Sequence, residues 1–276
     1  MVNIGWVGLG GIGTGMVVRA LAGGHAVTVH ARGAGLAEAR AAGARVDSDY
    51  AALAAGSDVL GLCVFNDAQL REVLFDGGAL AALRPGATLV IHTTGAPDLT
   101  REIGARAPVG VDVLDANFSG SAAQARAAEL VLIVGGESAA VVRARPLFNC
   151  YASKIHHVGA LGQGQTVKLL NNLIFAANLQ SAAEILKLAE QQGFDSCEVA
   201  GIFQDCSGAS FAMGLFQARA PVSRMLENAR PYVEKDVAAA VSNAQAAQIA
   251  IEAFAPTVAY FQTSDGSPRE VVGGRE

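Results

Sequence analysis

The chain has 276 residues, a net charge of −5 and 51% hydrophobic residues. That composition can bury a sizeable core and excludes wholesale disorder. It carries no basic run of the kind that tracks nucleic-acid phosphates. No apolar run reaches the roughly 18 residues of a membrane span. A strand-like segment starts at Val2 with no basic n-region or cleavage site, so a cytoplasmic protein is expected. Cys63, Cys150, Cys197 and Cys206 show no CxxC spacing and read as free thiols, with no metal site.

In chain order, the first half alternates short apolar runs with helical stretches. Strands are predicted over Val2–Gly8, Ala26–His30, at Val46, and over Val59–Val64, Ala87–Ile91, Val111–Leu114 and Leu130–Val134. Helical spacing fills Ile12–Ala22, Leu36–Ala42, Tyr50–Ala55, Ala68–Leu74, Leu80–Leu83 and Leu99–Arg106. This alternation predicts an α/β domain with a doubly wound, mostly parallel Rossmann sheet covered on both faces. From Gly164 onward the pattern is helical. One long helix is expected over Thr166–Gln192, ending at Gly193, and others over Cys197–Gln204, Phe211–Gln217, Val233–Ala253 and Pro256–Gln262. An all-α C-terminal domain follows, with the boundary in the Gly-rich Leu161–Gly164 segment, giving domains 1–163 and 164–276. The polar, Gly-rich Ser264–Glu276 tail is expected to fray.

Val7-Gly8-Leu9-Gly10-Gly11-Ile12-Gly13 carries GxGxxG between a strand and a helix. In that context Gly8 permits the tight turn, Gly10 admits a pyrophosphate close to the backbone, and Gly13 lets the helix pack on the strand. The helix N-terminus then offers N–H groups to phosphate oxygens. About 20 residues on, where an NAD site has an acid, the chain reads Val29-His30-Ala31-Arg32-Gly33. Arg32 there suits the 2′-phosphate of NADP, with NAD still open; a solvated surface arginine is the plainer alternative.

In the segment Gly162-Gln163-Gly164-Gln165-Thr166-Val167-Lys168-Leu169-Leu170-Asn171-Asn172, Lys168 and Asn172 share one helix face. Gly164, one turn earlier, leaves space above the ammonium for a ligand. Apolar neighbours would favour the neutral amine, the form that accepts a proton. Spacing alone favours a lysine snorkelling from a domain interface.

These segments together resemble the β-hydroxyacid dehydrogenase family of the 6-phosphogluconate dehydrogenase superfamily, which includes the 3-hydroxyisobutyrate dehydrogenases. The likeness spans nearly the whole chain. Residues 8–16 are similar to the cofactor motif, and Asp115-Ala116-Asn117-Phe118-Ser119-Gly120-Ser121 to a substrate-binding Asp-Ala-Pro-Val-Ser-Gly-Gly. Gly162–Asn172 is similar to the catalytic Gly-x-Gly-x-x-x-Lys-x-x-Asn-Asn, and Lys235-Asp236 to a C-terminal Lys-Asp pair. The resemblance implies Lys168 as general acid/base, Asn172 holding substrate, and Ser119 and Gly120 binding its carboxylate. It implies Thr93, Thr94, Val64 and Lys235 at the cofactor with Gly8 to Gly13, although Lys235 also reads as a surface helix lysine. Asn117-Phe118 replaces Pro-Val and Ser121 replaces a glycine, so Phe118 and Ser121 are expected to reshape the substrate pocket. Ile91-His92 stands where the family commonly has Asp-Leu, and a strand-end histidine is most often structural.

The expected reaction is reversible oxidation of a 3-hydroxy acid, and the resemblance implies a homodimer or larger homo-oligomer built on the long helix, with no nucleic-acid or membrane partner. The rivals are an imine reductase, which usually carries Asp or Tyr in place of Lys168, and a non-catalytic dinucleotide-binding protein.

Overall fold

The computed structural model describes residues 1–30, 34–218 and 221–262; Arg32 and the Ser264–Glu276 tail lie outside them. Eight strands form one sheet: β1 (Asn3–Val7), β2 (Ala26–His30), β3 (Arg45–Val46), β4 (Val59–Leu62), β5 (Thr88–Ile91), β6 (Asp112–Ser119), β7 (Leu130–Gly135) and β8 (Ala152–Gly159). Interleaved with them are α1 (Gly11–Ala22), α2 (Ala34–Ala41), α3 (Tyr50–Ala55), α4 (Asp67–Arg71), α5 (Ala79–Ala82), α6 (Pro97–Arg106), α7 (Ala122–Ala127) and α8 (Ser138–Phe148). The strand order is β3-β2-β1-β4-β5-β6-β7-β8. All neighbours run parallel except β6 and β7, which pair antiparallel with Asp115 opposite Gly135. Strand order reverses at β1, between β2 and β4, the place where doubly wound sheets bind ligands beyond the strand C-termini.

Both faces of this sheet are apolar, as a parallel sheet requires. Trp6, Leu114, Ala116, Leu132 and Val134 belong to one buried cluster. Leu62, Leu89, Ile91, Leu99 and Ile103 belong to the other. Successive strand residues alternate between the two.

The chain divides into two compact units, 1–168 and 169–276, and the division falls within the 29-residue helix α9 (Gln163–Gln191). Within the second unit are α10 (Ser196–Gln204), α11 (Phe211–Leu215), α12 (Val222–Ala246) and α13 (Ala255–Gln262). They close a core around Leu179, Ala183, Leu186, Phe216 and Phe261. No helix among the described residues is long and apolar enough to cross a membrane.

Five elements depart from the sequence reading; two of them, α7 and α8, fill stretches for which no helix was expected. The strand expected over Val111–Leu114 runs on to Ser119, which places the whole Asp115–Ser119 motif in the sheet. β8 was not expected at all: its Ala-Ser-Lys-Ile-His-His-Val-Gly is polar and largely exposed, because it is an edge strand. α12 begins at Val222, eleven residues before the expected start, carries Pro231 inside it, and stops at Ala246.

His92, one residue past β5, is fully buried. Its Nδ1–H donates to the Ala116 carbonyl, and its Nε2 accepts from the Tyr151 hydroxyl at 3.1 Å. The Trp6 ring stacks on it at 5.4 Å. A neutral imidazole satisfies both bonds, and burial pushes its pKa down to about 4. A histidine depressed in the fold adds stability above its unfolded value, near 6.5, and loses it as pH falls toward 4. Between about pH 7 and pH 4, wild-type unfolding free energy should therefore drop by roughly 3 kcal/mol more than that of His92→Gln, read by urea denaturation. Parallel pH profiles for the two proteins would show that His92 is not the titrating group.

Candidate functional site

The glycine loop leaves β1 at Gly8, whose φ of +99° is open only to glycine. A Cβ there would lie 2.2 Å from the Cys63 carbonyl oxygen at the end of β4. The Trp6 indole N–H donates to the Gly8 carbonyl at 3.0 Å and fixes the turn. A Cβ on Gly13 would stand 2.3 Å from the Gly8 carbonyl oxygen, so helix and turn are in direct backbone contact. One on Gly15 would stand 2.8 Å from the Ala125 Cβ, where α7 packs on α1. Gly10 is the exception: a Cβ there would meet nothing within 4 Å.

Gly10 caps α1 with no side-chain hydrogen bond, and no acid stands in the helix's first turn. The helix N-terminus thus keeps an open, electropositive cradle at Gly10, Gly11 and Ile12, beside Leu9. This is the arrangement a dinucleotide pyrophosphate requires. The residues fit the group. Gly10→Ala should leave the melting temperature close to wild type and weaken binding of the nicotinamide dinucleotide, NADH or NADPH, at least about tenfold. Gly13→Ala should lower stability by about 1–3 kcal/mol through its clash with Gly8. The check is calorimetric binding beside thermal melting; equal behaviour of the two variants would contradict the division of labour.

Val64 and Thr93 stand at the C-terminal ends of β4 and β5. The Val64 N–H donates to Thr93 Oγ1 at 3.0 Å, and that hydroxyl in turn approaches the Leu62 carbonyl at 3.5 Å. Thr93 is buried, and its hydroxyl serves this tie between strand ends; Thr94 follows, half-buried.

Asp115 lies on β6. Its Oδ1 accepts from the Gly162 N–H at 2.9 Å and its Oδ2 from the Gln165 N–H at 2.6 Å. It is fully buried, and this carboxylate caps the first turn of α9 from outside the helix. A Cβ on Gly164 would stand 2.7 Å from Asp115 Oδ2, and one on Gly135 2.4 Å from Oδ1. The space expected beside Gly164 for a ligand is therefore taken by Asp115. The Gly162 φ of +89° and the close packing at Gly164 explain both glycines of the Gly-x-Gly segment. Gln165, also buried, donates from Nε2 to the Thr93 carbonyl at 2.7 Å and accepts from the Gly95 N–H at 3.0 Å. The start of α9 is thus stitched to β6 and to the loop after β5.

Along α9, Gln165, Lys168, Leu169 and Asn172 are all buried, at i, i+3, i+4 and i+7. Lys168 retains 9% of its surface. The Asn172 Nδ2 donates to Asp236 Oδ2 at 2.6 Å, and its Oδ1 accepts from the Asn171 amide at 3.1 Å. Lys235, beside Asp236 on α12, pairs with that carboxylate at 2.8 Å. Asp236 therefore orients Asn172, an arrangement no local sequence signal shows.

At the end of β6, Phe118 is half-buried and packs against the Trp6 cluster, on the sheet face opposite Asp115, Asn117 and Ser119. Gly120 has a φ of +139°. Ser121 caps α7 in a reciprocal pair: its Oγ accepts from the Gln124 N–H, and its own N–H donates to Gln124 Oε1. That Ser-x-x-Gln spacing is a helix-start signal readable in the sequence. Asp115 and Gln165 were missed because their partners lie 47 to 72 residues away.

A dinucleotide cradle at the switch point of a Rossmann sheet, followed by a helix with a buried lysine, defines a nicotinamide-dependent oxidoreductase. Residues 3–159 match the family described as the NAD binding domain of 6-phosphogluconate dehydrogenase. Residues 162–268 match that of the NAD-binding domain of NADP-dependent 3-hydroxyisobutyrate dehydrogenase. The chain belongs to the β-hydroxyacid dehydrogenase family, whose members oxidise CH–OH groups with a nicotinamide cofactor. It is 31% identical over 261 residues to 3-hydroxyisobutyrate dehydrogenase of Pseudomonas aeruginosa, covering 90% of this chain and 87% of that protein. It is 33% identical over 199 residues to 2-hydroxy-3-oxopropionate reductase of Escherichia coli, covering 71% and 68%. The solved structure of Mycobacterium tuberculosis 3-hydroxyisobutyrate dehydrogenase with L-serine superposes with a TM-score of 0.81 at 27% identity, covering 95% of this chain and 92% of that one.

Burial pushes the Asp115 carboxyl up to about 6, against the opposing pull of the Gly162, Gln165 and Gly164 N–H groups. An acid raised in the fold adds stability that is complete below its unfolded value, near 3.8, and lost as pH rises through about 6. Asp115→Ala should cost about 2–4 kcal/mol, the sum of a lost helix cap and orphaned buried N–H groups. The deficit should be larger near pH 4.5 than near pH 7, read by chemical denaturation at both. A deficit independent of pH would mean that this carboxyl keeps its ordinary value.

Proposed function

We propose that this chain catalyses reversible hydride transfer between NADP and a 3-hydroxy acid or its 3-oxo partner, with Lys168 as the general acid/base. The observation that carries this reading is the burial of Lys168 on α9, one turn after a segment anchored by Asp115 and Gln165. A lysine so placed is held at one point instead of sweeping through solvent. In oxidation its neutral amine takes the proton of the substrate hydroxyl while the carbon gives up hydride; in reduction its ammonium returns a proton to the forming alkoxide. The positive ammonium also stabilises negative charge on that oxygen. The bound dinucleotide supplies the hydride acceptor or donor.

Around that step, Asn172, oriented by Asp236, holds the substrate, and Ser119 with the Gly120 N–H takes its carboxylate. Phe118 and Ser121 act through the backbone at the end of β6: one packs into the core, the other caps α7. Gly8, Leu9, Gly10, Gly11, Ile12 and Gly13 hold the pyrophosphate, with Val64, Thr93, Thr94 and Lys235 completing the cofactor site. The absence of an acid at the end of β2 and the presence of Arg32 support NADP over NAD. Residues 1–163 serve the cofactor and 164–276 the substrate and self-association. Exposed Leu170, Ile174, Ile185 and Leu188 line one side of α9 and support a homodimer or larger homo-oligomer.

Turnover followed by nicotinamide absorbance, with NADP(H) and NAD(H) against 3-hydroxy acids, cyclic imines and plain aldehydes, tests the reading. Hydroxy-acid turnover with NADP is expected. Lys168→Ala should lower kcat by about 10²–10⁴-fold and leave NADPH affinity within about twofold. Turnover of imines alone, or loss of NADPH binding in the variant, would overturn it.

A further inference from the structure

Asn117 stands in the middle of β6, in the segment where the family's motif carries proline. Its side chain is fully buried. Both ends of its amide, Nδ2 and Oδ1, lack a hydrogen-bond partner. Strand alternation puts it on the face that carries Asp115 and Ser119, between the anchor of α9 and the residue proposed to take the substrate carboxylate. Directly opposite on β7 is Ile133, buried and apolar, which cannot answer it.

A buried amide without partners costs stability, so such a group is seldom kept for packing alone. An aliphatic side chain of similar size would suit this surrounding better. Carrying such a cost is characteristic of residues that serve a ligand. The chemistry of the missing partner follows from the amide itself, which offers donors on nitrogen and an acceptor on oxygen. A carboxylate oxygen would satisfy only the nitrogen, and an ammonium only the oxygen. A neutral hydroxyl satisfies both: it accepts from Nδ2 and donates to Oδ1.

We infer that Asn117 is a specificity-determining residue that reads a second, neutral hydroxyl on the substrate, adjacent to its carboxylate and distinct from the hydroxyl that is oxidised. The inference rests on the hydroxy-acid reading above. The substrate is then a 2,3-dihydroxy acid rather than one with an alkyl group at C2.

Two probes differ only at that position: glycerate has a hydroxyl at C2 and 3-hydroxyisobutyrate a methyl. The wild-type enzyme should favour glycerate in kcat/KM by at least about tenfold, since a site built to bond a hydroxyl rejects the analogue lacking it. Asn117→Leu should bring the ratio close to one. Its melting temperature without ligand should equal or exceed that of wild type, because an unanswered polar group has been removed. Asn117→Ala provides the same ratio should the leucine variant not fold. A wild-type preference for 3-hydroxyisobutyrate, or a ratio unchanged in the variants, would overturn the inference and leave the hydroxy-acid reading standing. No turnover of any 3-hydroxy acid would remove the reading and the inference together.

Discussion

The carboxylate of Asp115 accepts the backbone N–H groups that the first turn of α9 cannot pair within the helix. A helix of 29 residues needs its orphan donors answered, and this one is answered from a strand. Several features of the chain follow from that contact. Gly164 and Gly135 lack side chains because the carboxylate and its neighbours fill the space where a Cβ would project. Gly162 must be glycine to bring its N–H round with a positive φ. Gln165 adds a second stitch, from the same turn to the loop after β5. Lys168 lies three residues further along a helix whose origin is fixed.

The two glycine-rich segments therefore do different work. In the first, Gly8 and Gly13 serve the fold and Gly10 leaves room for a ligand, a division shown by what a Cβ at each would meet. In the second, both glycines serve the fold, and the lysine that follows is the residue proposed to carry the chemistry. Burial shifts the pKa values of two polar groups, His92 just past β5 and Asp115 within β6, in opposite senses. It keeps His92 neutral, bonded on both ring nitrogens, and it raises Asp115 until the N–H groups of α9 restrain it. Neither residue is placed to exchange protons with a substrate; both hold backbone in place.

Much of this was legible in the sequence. The alternation of apolar runs gave the Rossmann sheet, the Ala26–His30 strand emerged with its expected bounds, and Gly8 to Gly13 announced the cradle. The long helix starts at Gln163, three residues before the expected Thr166, since capping from outside lets it begin among glycines. Besides the helices α7 and α8, what escaped was of two kinds. β8 and the extension of β6 carry polar residues, at the sheet edge and at the site respectively, so hydrophobic periodicity passes over them. The pairings of Asp115 with Gly162, of Gln165 with Thr93, and of Asn172 with Asp236 join residues 47 to 72 positions apart, which no local pattern encodes.

The most direct test of the Asp115 clamp is amide hydrogen exchange, resolved by residue, in wild type and Asp115→Ala. With the carboxylate removed, exchange should quicken at Gly162 to Lys168, while amides of β1 and β4 keep their protection. Equal protection of residues 162–168 in both proteins would contradict the account, because the first turn of α9 would then be held by something other than Asp115.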